Sequence, residues 1–262
     1  MSIHKRSSHL PKILYAICQV DVDPLRFGAS QGLEGAQVYC VEDNGLVAVV
    51  SDVATGKVRP DRRSLTAYQA VLHDLVEKTT VLPLRFGTIS KNQISVQNLL
   101  ARNRKAILDQ LKKVNGCVEM GLRVSWDVAN IYDFFIGTHA ALRDARDELV
   151  NDETAGRDER IQLGRLYESF LNADRRDHTD RVKNLLVEYC EDIVVGELKR
   201  EKDVMNLACL VRRTRMDEFV KGVFEVSKLF DNDYLFDYSG PWAPHNFARI
   251  DLKVASPAND VA

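Results

Sequence analysis

The chain has 262 residues, of which 45% are hydrophobic and 28% charged, with a formal net charge of -2. That length suits one large domain or two of ordinary size, and the near-neutral balance argues against a nucleic-acid binder working through a basic surface. No apolar run approaches the roughly 20 residues of a membrane span, and the start, despite Lys5 and Arg6, lacks the apolar core of a secretory signal.

Residues 1–11 read as a flexible tail and 255–262 as another. Residues 12–20 form a first strand, followed by a glycine-rich loop over 21–35. Two strand runs, 38–41 and 46–53, flank Asn44-Gly45, a strong hairpin signal. Over residues 61–78, Leu65, Tyr68, Val71, Leu72, Leu75 and Val76 fall on one helical face, with Asp61 or Ser64 able to cap. A short apolar segment, 79–88, reads as a strand; Pro83 cannot donate to a ladder, which places it at an edge or a bulge. Arg85 is the single charge on it, and Gly87 marks its exit. Residues 90–114 form a second amphipathic helix, ended by Asn115-Gly116.

Residues 117–127 alternate apolar and polar side chains, the pattern of a strand with one wet face. Helical period resumes over 128–150 and again over 158–201, where a charged middle, 172–180, interrupts the pattern or protrudes into solvent. Residues 206–211 are a nearly all-apolar, central strand. Residues 216–230 form a helix packing Met216, Phe219, Val220, Val223 and Phe224. Strands at 234–238 and 247–254 flank a rigid turn over 239–245 that carries Trp242. The pattern predicts an α+β fold of two domains. An N-terminal mixed α+β layer (12–115) precedes a C-terminal modified ferredoxin-like domain (116–254), whose strand and helix order suggests helices stacked on one face of a mainly antiparallel sheet, enlarged by a long helical insert.

The five cysteines, Cys18, Cys40, Cys117, Cys190 and Cys209, show neither paired nor metal-clip spacing, so they read as reduced, structural residues of a cytoplasmic protein. No phosphate loop, nucleophile elbow or H-E-x-x-H motif occurs. His73 and Glu77, one turn apart, read as a surface polar pair. His139 reads as packed or superficial, His178 as solvated, and His245 as a turn contact. The residues thus predict no catalytic, cofactor-binding or metal site. Arg85 reads as an ion pair or a snorkelling edge residue, and Trp242 as a plug under its turn or a partner contact. The pentapeptide at 24–28 recurs at 83–87 without periodic spacing, which is not a repeat architecture.

Two segments carry a resemblance. Val81-Leu82-Pro83-Leu84-Arg85-Phe86-Gly87-Thr88 is similar to a hallmark motif of the gas vesicle protein family GvpF/GvpL, its GvpF branch above all. Gly240-Pro241-Trp242-Ala243-Pro244, with Phe247, resembles the same family's C-terminal signature, and Tyr15-Ala16-Ile17 fits its opening strand. The resemblance implies a non-enzymatic accessory protein of gas vesicle formation with two α+β domains, located in the cytoplasm and at the gas vesicle. It further implies binding of the small hydrophobic shell protein GvpA, help with nucleation or assembly, and contact with other gas vesicle accessory proteins. The expected partner contacts are Pro83, Leu84, Arg85 and Phe86 at a strand edge, with Gly240, Pro241 and Trp242 at the turn. The alternatives are a minor structural component of the shell, or an enzyme or ligand-binding regulator using an interdomain cleft.

Overall fold

The computed structural model describes residues 9–19, 31–152 and 156–248. Several expectations lie outside the described residues: the tail at 1–8, the 24–28 copy of the pentapeptide, residues 249–254 of the last strand, and the tail at 255–262. The contacts divide the chain into two units, Met1–Glu119 with Gly240–Ala262, and Met120–Ser239.

The first unit contains β1 (Lys12–Gln19), β2 (Val38–Asp43), β3 (Leu46–Asp52), α1 (Arg62–Lys78), β4 (Leu82–Pro83), β5 (Ile89–Ser90) and α2 (Gln93–Lys113). The sheet order is β2-β3-β1-β4, with β5 also paired to β1, and every pairing is antiparallel. Asn44 and Gly45 both take positive φ, 45° and 81°, as a two-residue hairpin turn of this hand demands.

β1 and β3 are buried along almost their whole length. A bulge between Leu14 and Ala16 inserts one residue into β1, so that Leu14 and Ile17 share a face. That face packs with Ala48, Val50, Val96, Leu100 and Ile107 beneath α2. Tyr15 points the other way and stacks on Tyr68 of α1, ring centroids 5.4 Å apart. Helices therefore cover both faces of this sheet. Continuous apolar runs are what two-sided burial requires.

α1 is capped by Asp61, whose carboxylate accepts from Ser64 N–H at 2.8 Å. Tyr68, Val71, Leu72, Leu75 and Val76 form its buried stripe. Leu65, counted with that stripe in the sequence, is instead 39% exposed. α2 starts at Gln93 because Ser90 belongs to β5; Asn92 caps it by accepting from Ser95 N–H at 2.8 Å.

The second unit is built from β6 (Cys117–Trp126), α3 (Ile131–Thr138), α4 (Ala140–Asn151), α5 (Arg157–Leu186), β7 (Asp192–Val195), β8 (Asp203–Arg212), α6 (Met216–Ser227) and β9 (Tyr234–Trp242); the division between units falls within β6 and β9. Its sheet order is β7-β8-β6-β9. Trp126 N–H donates to Lys202 O and Asp127 N–H to Asp233 O, so the end of β6 meets the starts of both neighbours and runs antiparallel to them. This is the ferredoxin-like β-α-β-β-α-β order, with α3, α4 and α5 in place of the first helix.

Four details differ from expectation. Residues 192–195 form a strand where the sequence predicts helix over 158–201, because Ile193, Val194 and Val195 pair with Cys209, Ala208 and Leu207 of β8. α5 runs unbroken through residues 172–180, and this charged stretch is not wholly solvated. Arg175 donates to Asp203 O at 3.0 Å and Glu201 O at 2.6 Å, while His178 Nε2 meets the Tyr234 hydroxyl at 3.0 Å. In α6, Phe224 is 62% exposed; Phe219, Gly222, Val223 and Val226 take the inward positions. β9 continues through Gly240 and Pro241 to Trp242, with a cis peptide before Pro241, so the turn begins only at Ala243.

Candidate partner-binding site

The segment after α1 is a strand interrupted. β4 pairs Leu82 with Ile17 and Pro83 with Ala16, and β5 pairs Ile89 with Ile13 and Ser90 with Lys12. Between them Leu84 N–H donates to Tyr15 O at 3.0 Å and Leu14 N–H to Thr88 O at 2.9 Å, and the chain loops outward. Thr88 closes the loop by donating its N–H (3.1 Å) and its hydroxyl (2.7 Å) to Arg85 O. Gly87 supplies the positive φ of 82°. Pro83, which has no N–H, sits at the sheet edge as the sequence requires.

The Tyr68 hydroxyl lies between Tyr15 O and Leu84 O as a donor, and the Phe86 ring stands edge-on to Tyr68 at 5.4 Å. Pro83 and Leu84 are buried, Phe86 is half-buried and Arg85 is exposed. Among the described residues, the Arg85 guanidinium has no hydrogen-bond or ion-pair partner. Arg85 is therefore the side chain of this motif that reaches solvent, and the others hold it there.

The second motif is anchored differently. His245 N–H donates to Ala243 O at 2.7 Å, and the N–H groups of Phe247 and Ala248 donate to Pro244 O at 3.2 and 3.0 Å. Glu119, only 8% exposed, pins this turn. Its Oε2 accepts from Asn246 N–H at 2.9 Å and its Oε1 from Asn246 Nδ2 at 2.7 Å. Burial pushes the Glu119 carboxyl up, and the two bonds from Asn246 offset that only in part.

So held, Trp242 and His245 form one wall of a groove of about 870 Å3. The other wall is the outward face of α1, carrying Leu65, Thr66, Gln69 and Ala70, with Arg62 at one end and His73 at the other. Trp242 is 43% exposed. Desolvation holds the His245 imidazole below its usual value. His73 is exposed and lies 3.5 Å from Glu77, the surface pair that its spacing predicts.

The structure thus brings Trp242 and His245 together beside Glu119; Arg85 does not line that groove. Sequence reasoning misses two elements of it. Glu119 alternates with Val118 and Met120 like a wet-face residue, and nothing local marks it as a clamp. Leu65 falls within the angular range of the buried stripe, between Leu72 and Val76, and nothing local marks it as the member left open. His139 is packed: it stacks on Phe135 (5.1 Å, 4° between planes) and lies 3.4 Å from Asp174. His178, expected in solvent, is half-buried, and burial lowers its pKa. Among the described residues no three His, Cys, Asp or Glu side chains converge on a metal-binding point.

Residues 12–249 match the sequence profile of the family described as Gas vesicle synthesis protein GvpL/GvpF. The chain belongs to this family. Its GvpL/GvpF relatives include gas vesicle protein F of Nostoc sp. (strain PCC 7120), 26% identical over 223 residues, which are 84% of this chain and 91% of that protein. Gas vesicle protein L of Streptomyces sp. (strain CB03234) is 28% identical over 90% of this chain and 92% of its own length. The crystal structure of GvpF from Anabaena sp. PCC7120 superposes with a TM-score of 0.81 at 25% identity, covering 92% of this chain and 99% of that one. GvpF from Microcystis aeruginosa shares the fold, with a TM-score of 0.78 at 23% identity over 92% of this chain and 100% of that one. Membership of the GvpL/GvpF family implicates the chain in gas vesicle formation. Among the described residues no helix is long and apolar enough to cross a membrane.

Proposed function

We propose that the protein is a non-enzymatic accessory factor of gas vesicle formation that works in the cytoplasm and at the growing vesicle. It binds the small hydrophobic shell protein GvpA, aids nucleation or assembly, and meets other gas vesicle accessory proteins while doing so. The observation that carries this reading is an exposed tryptophan held over an apolar groove in a member of a gas vesicle synthesis family. A shell subunit that polymerises through apolar surface needs a partner that shields this surface until it is delivered. A rigidly mounted aromatic beside a groove is suited to such contact, since buried tryptophan and arginine dominate binding energies at interfaces.

Of the seven motif residues expected at the contact, Arg85 and Trp242 offer side chains to a partner. Phe86 contributes its free edge, while Pro83, Leu84, Gly240 and Pro241 shape the backbone beneath. The test is co-purification of GvpA with the full-length chain as wild type, Arg85→Ala and Trp242→Ala, with folding checked by circular dichroism. The wild type should retain GvpA and Trp242→Ala should weaken the association by about tenfold or more. Arg85→Ala, solvent-exposed and unpaired, should weaken it less. Failure of the wild type to retain GvpA would overturn the reading.

A further inference from the structure

The groove on α1 also constrains the form of what it holds. From Arg62 to His73 its helical wall runs about 17 Å, three turns of helix. That wall is a helix whose backbone groups are bonded internally, and the carboxylate opposite is occupied by Asn246. An extended peptide laid along α1 would find no ladder there for its own N–H and C=O groups, and the edge strand β9 reaches the groove only at its last residue, Trp242, so those groups would lose water without replacement. A helix brings its own. Thr66 and Ala70 are small and exposed, which leaves room for the side-chain ridge of a second helix.

Charge fixes one end. The Arg62 side chain is exposed and has no hydrogen bond or ion pair with a described residue, whereas His73, at the other end, already faces Glu77. The apolar surface between them comes from Leu65 and Trp242, 39% and 43% exposed. A complementary occupant is apolar along its length and acidic where it meets Arg62.

We propose that this groove receives an amphipathic α-helix of GvpA. Its apolar residues at i, i+3, i+4 and i+7 lie against Leu65, Ala70 and Trp242, and a carboxylate pairs with Arg62. The inference rests on the reading of GvpA as partner, and adds the site and the conformation in which GvpA is held.

The experiment uses the full chain and GvpA. Ala70→Trp fills the groove from an exposed position on α1, Arg62→Glu reverses its charge without adding bulk, and Ala106→Trp makes the same change on the exposed face of α2. A photo-crosslinking phenylalanine at position 69 or 73 reports which GvpA residues lie in the groove. Ala70→Trp and Arg62→Glu should each lower binding, the first by at least about tenfold, while Ala106→Trp leaves it unchanged. Captured GvpA residues should be spaced three or four apart. If folded Ala70→Trp and Arg62→Glu both bind like wild type, the groove is not the site, and the partner reading stands without it. Capture at every second residue overturns the helix. A wild type that does not bind GvpA removes the partner reading and this inference with it.

Discussion

Three side chains show how single residues hold the site. Glu119 carries a carboxyl raised above its usual value of about 4.5 by burial. A folded-state pKa above the unfolded one stabilises the fold while the group is protonated. That contribution is present below about 4.5 and is lost as pH rises through the raised value. Glu119→Gln keeps an acceptor for Asn246 N–H and abolishes the titration. The melting temperature of this variant should therefore gain on wild type between about pH 4 and about pH 7, and a constant difference would show that Glu119 does not titrate in this way. Tyr68 is the second case. Its hydroxyl serves the carbonyls of Tyr15 and Leu84 at once, so Tyr68→Phe should cost about 1–3 kcal/mol in urea unfolding. Arg85 is the contrast: exposed and unpaired, its replacement by alanine should move stability by no more than about 0.5 kcal/mol.

At the scale of elements, caps and close approaches decide the outcome. Asn92→Ala removes the acceptor for Ser95 N–H at the start of α2 and should cost about 1 kcal/mol. Gly222, inside α6, looks from helix propensity alone like a place where alanine would stabilise by about 1 kcal/mol. A Cβ there, however, would meet the Tyr189 ring at 2.6 Å. Crowding of that kind costs about 1–3 kcal/mol, so Gly222→Ala should be neutral to destabilising in thermal or urea unfolding. The same helix shows why apolar period alone misleads. Phe219 and Phe224 both look like core residues in the sequence. Phe219→Ala should cost about 3–5 kcal/mol, whereas Phe224→Ala, at a side chain 62% exposed, should cost far less.

At the scale of the whole molecule, the fold joins a sheet covered by helices on both faces to a ferredoxin-like unit, and the chain crosses between the two units in β6 and again in β9. This second crossing matters to the site. It delivers the Gly240-Pro241-Trp242 motif, which follows the second unit in sequence, to the unit that carries α1 and Glu119. In cells that depend on this chain for gas vesicles, Trp242→Ala should lower vesicle yield with the protein's abundance unchanged. A fall in abundance that matches the fall in yield would instead mark Trp242 as a packing residue.

The amino-acid sequence by itself determined what depends on near neighbours. The Asn44-Gly45 hairpin, the capped helix α1, the amphipathic stripe of α2, the edge position of Pro83 and the central place of β8 follow from backbone conformation, missing donors and apolar period. The two motifs that mark the GvpL/GvpF family are contiguous in the chain and legible for the same reason. Tertiary structure alone decided the rest. β7 became a strand because β8 offered its ladder, not because its residues lack helical period. Helices cover both faces of the first sheet because β1 buries apolar side chains on each, Leu14 and Ile17 beneath α2 and Tyr15 against α1. Glu119 meets Asn246 across 127 positions. Leu65 faces the groove while Tyr68, three residues on, is buried. Local sequence states which side of an element is apolar; only long-range packing selects which apolar surface is covered and which is left open to a partner.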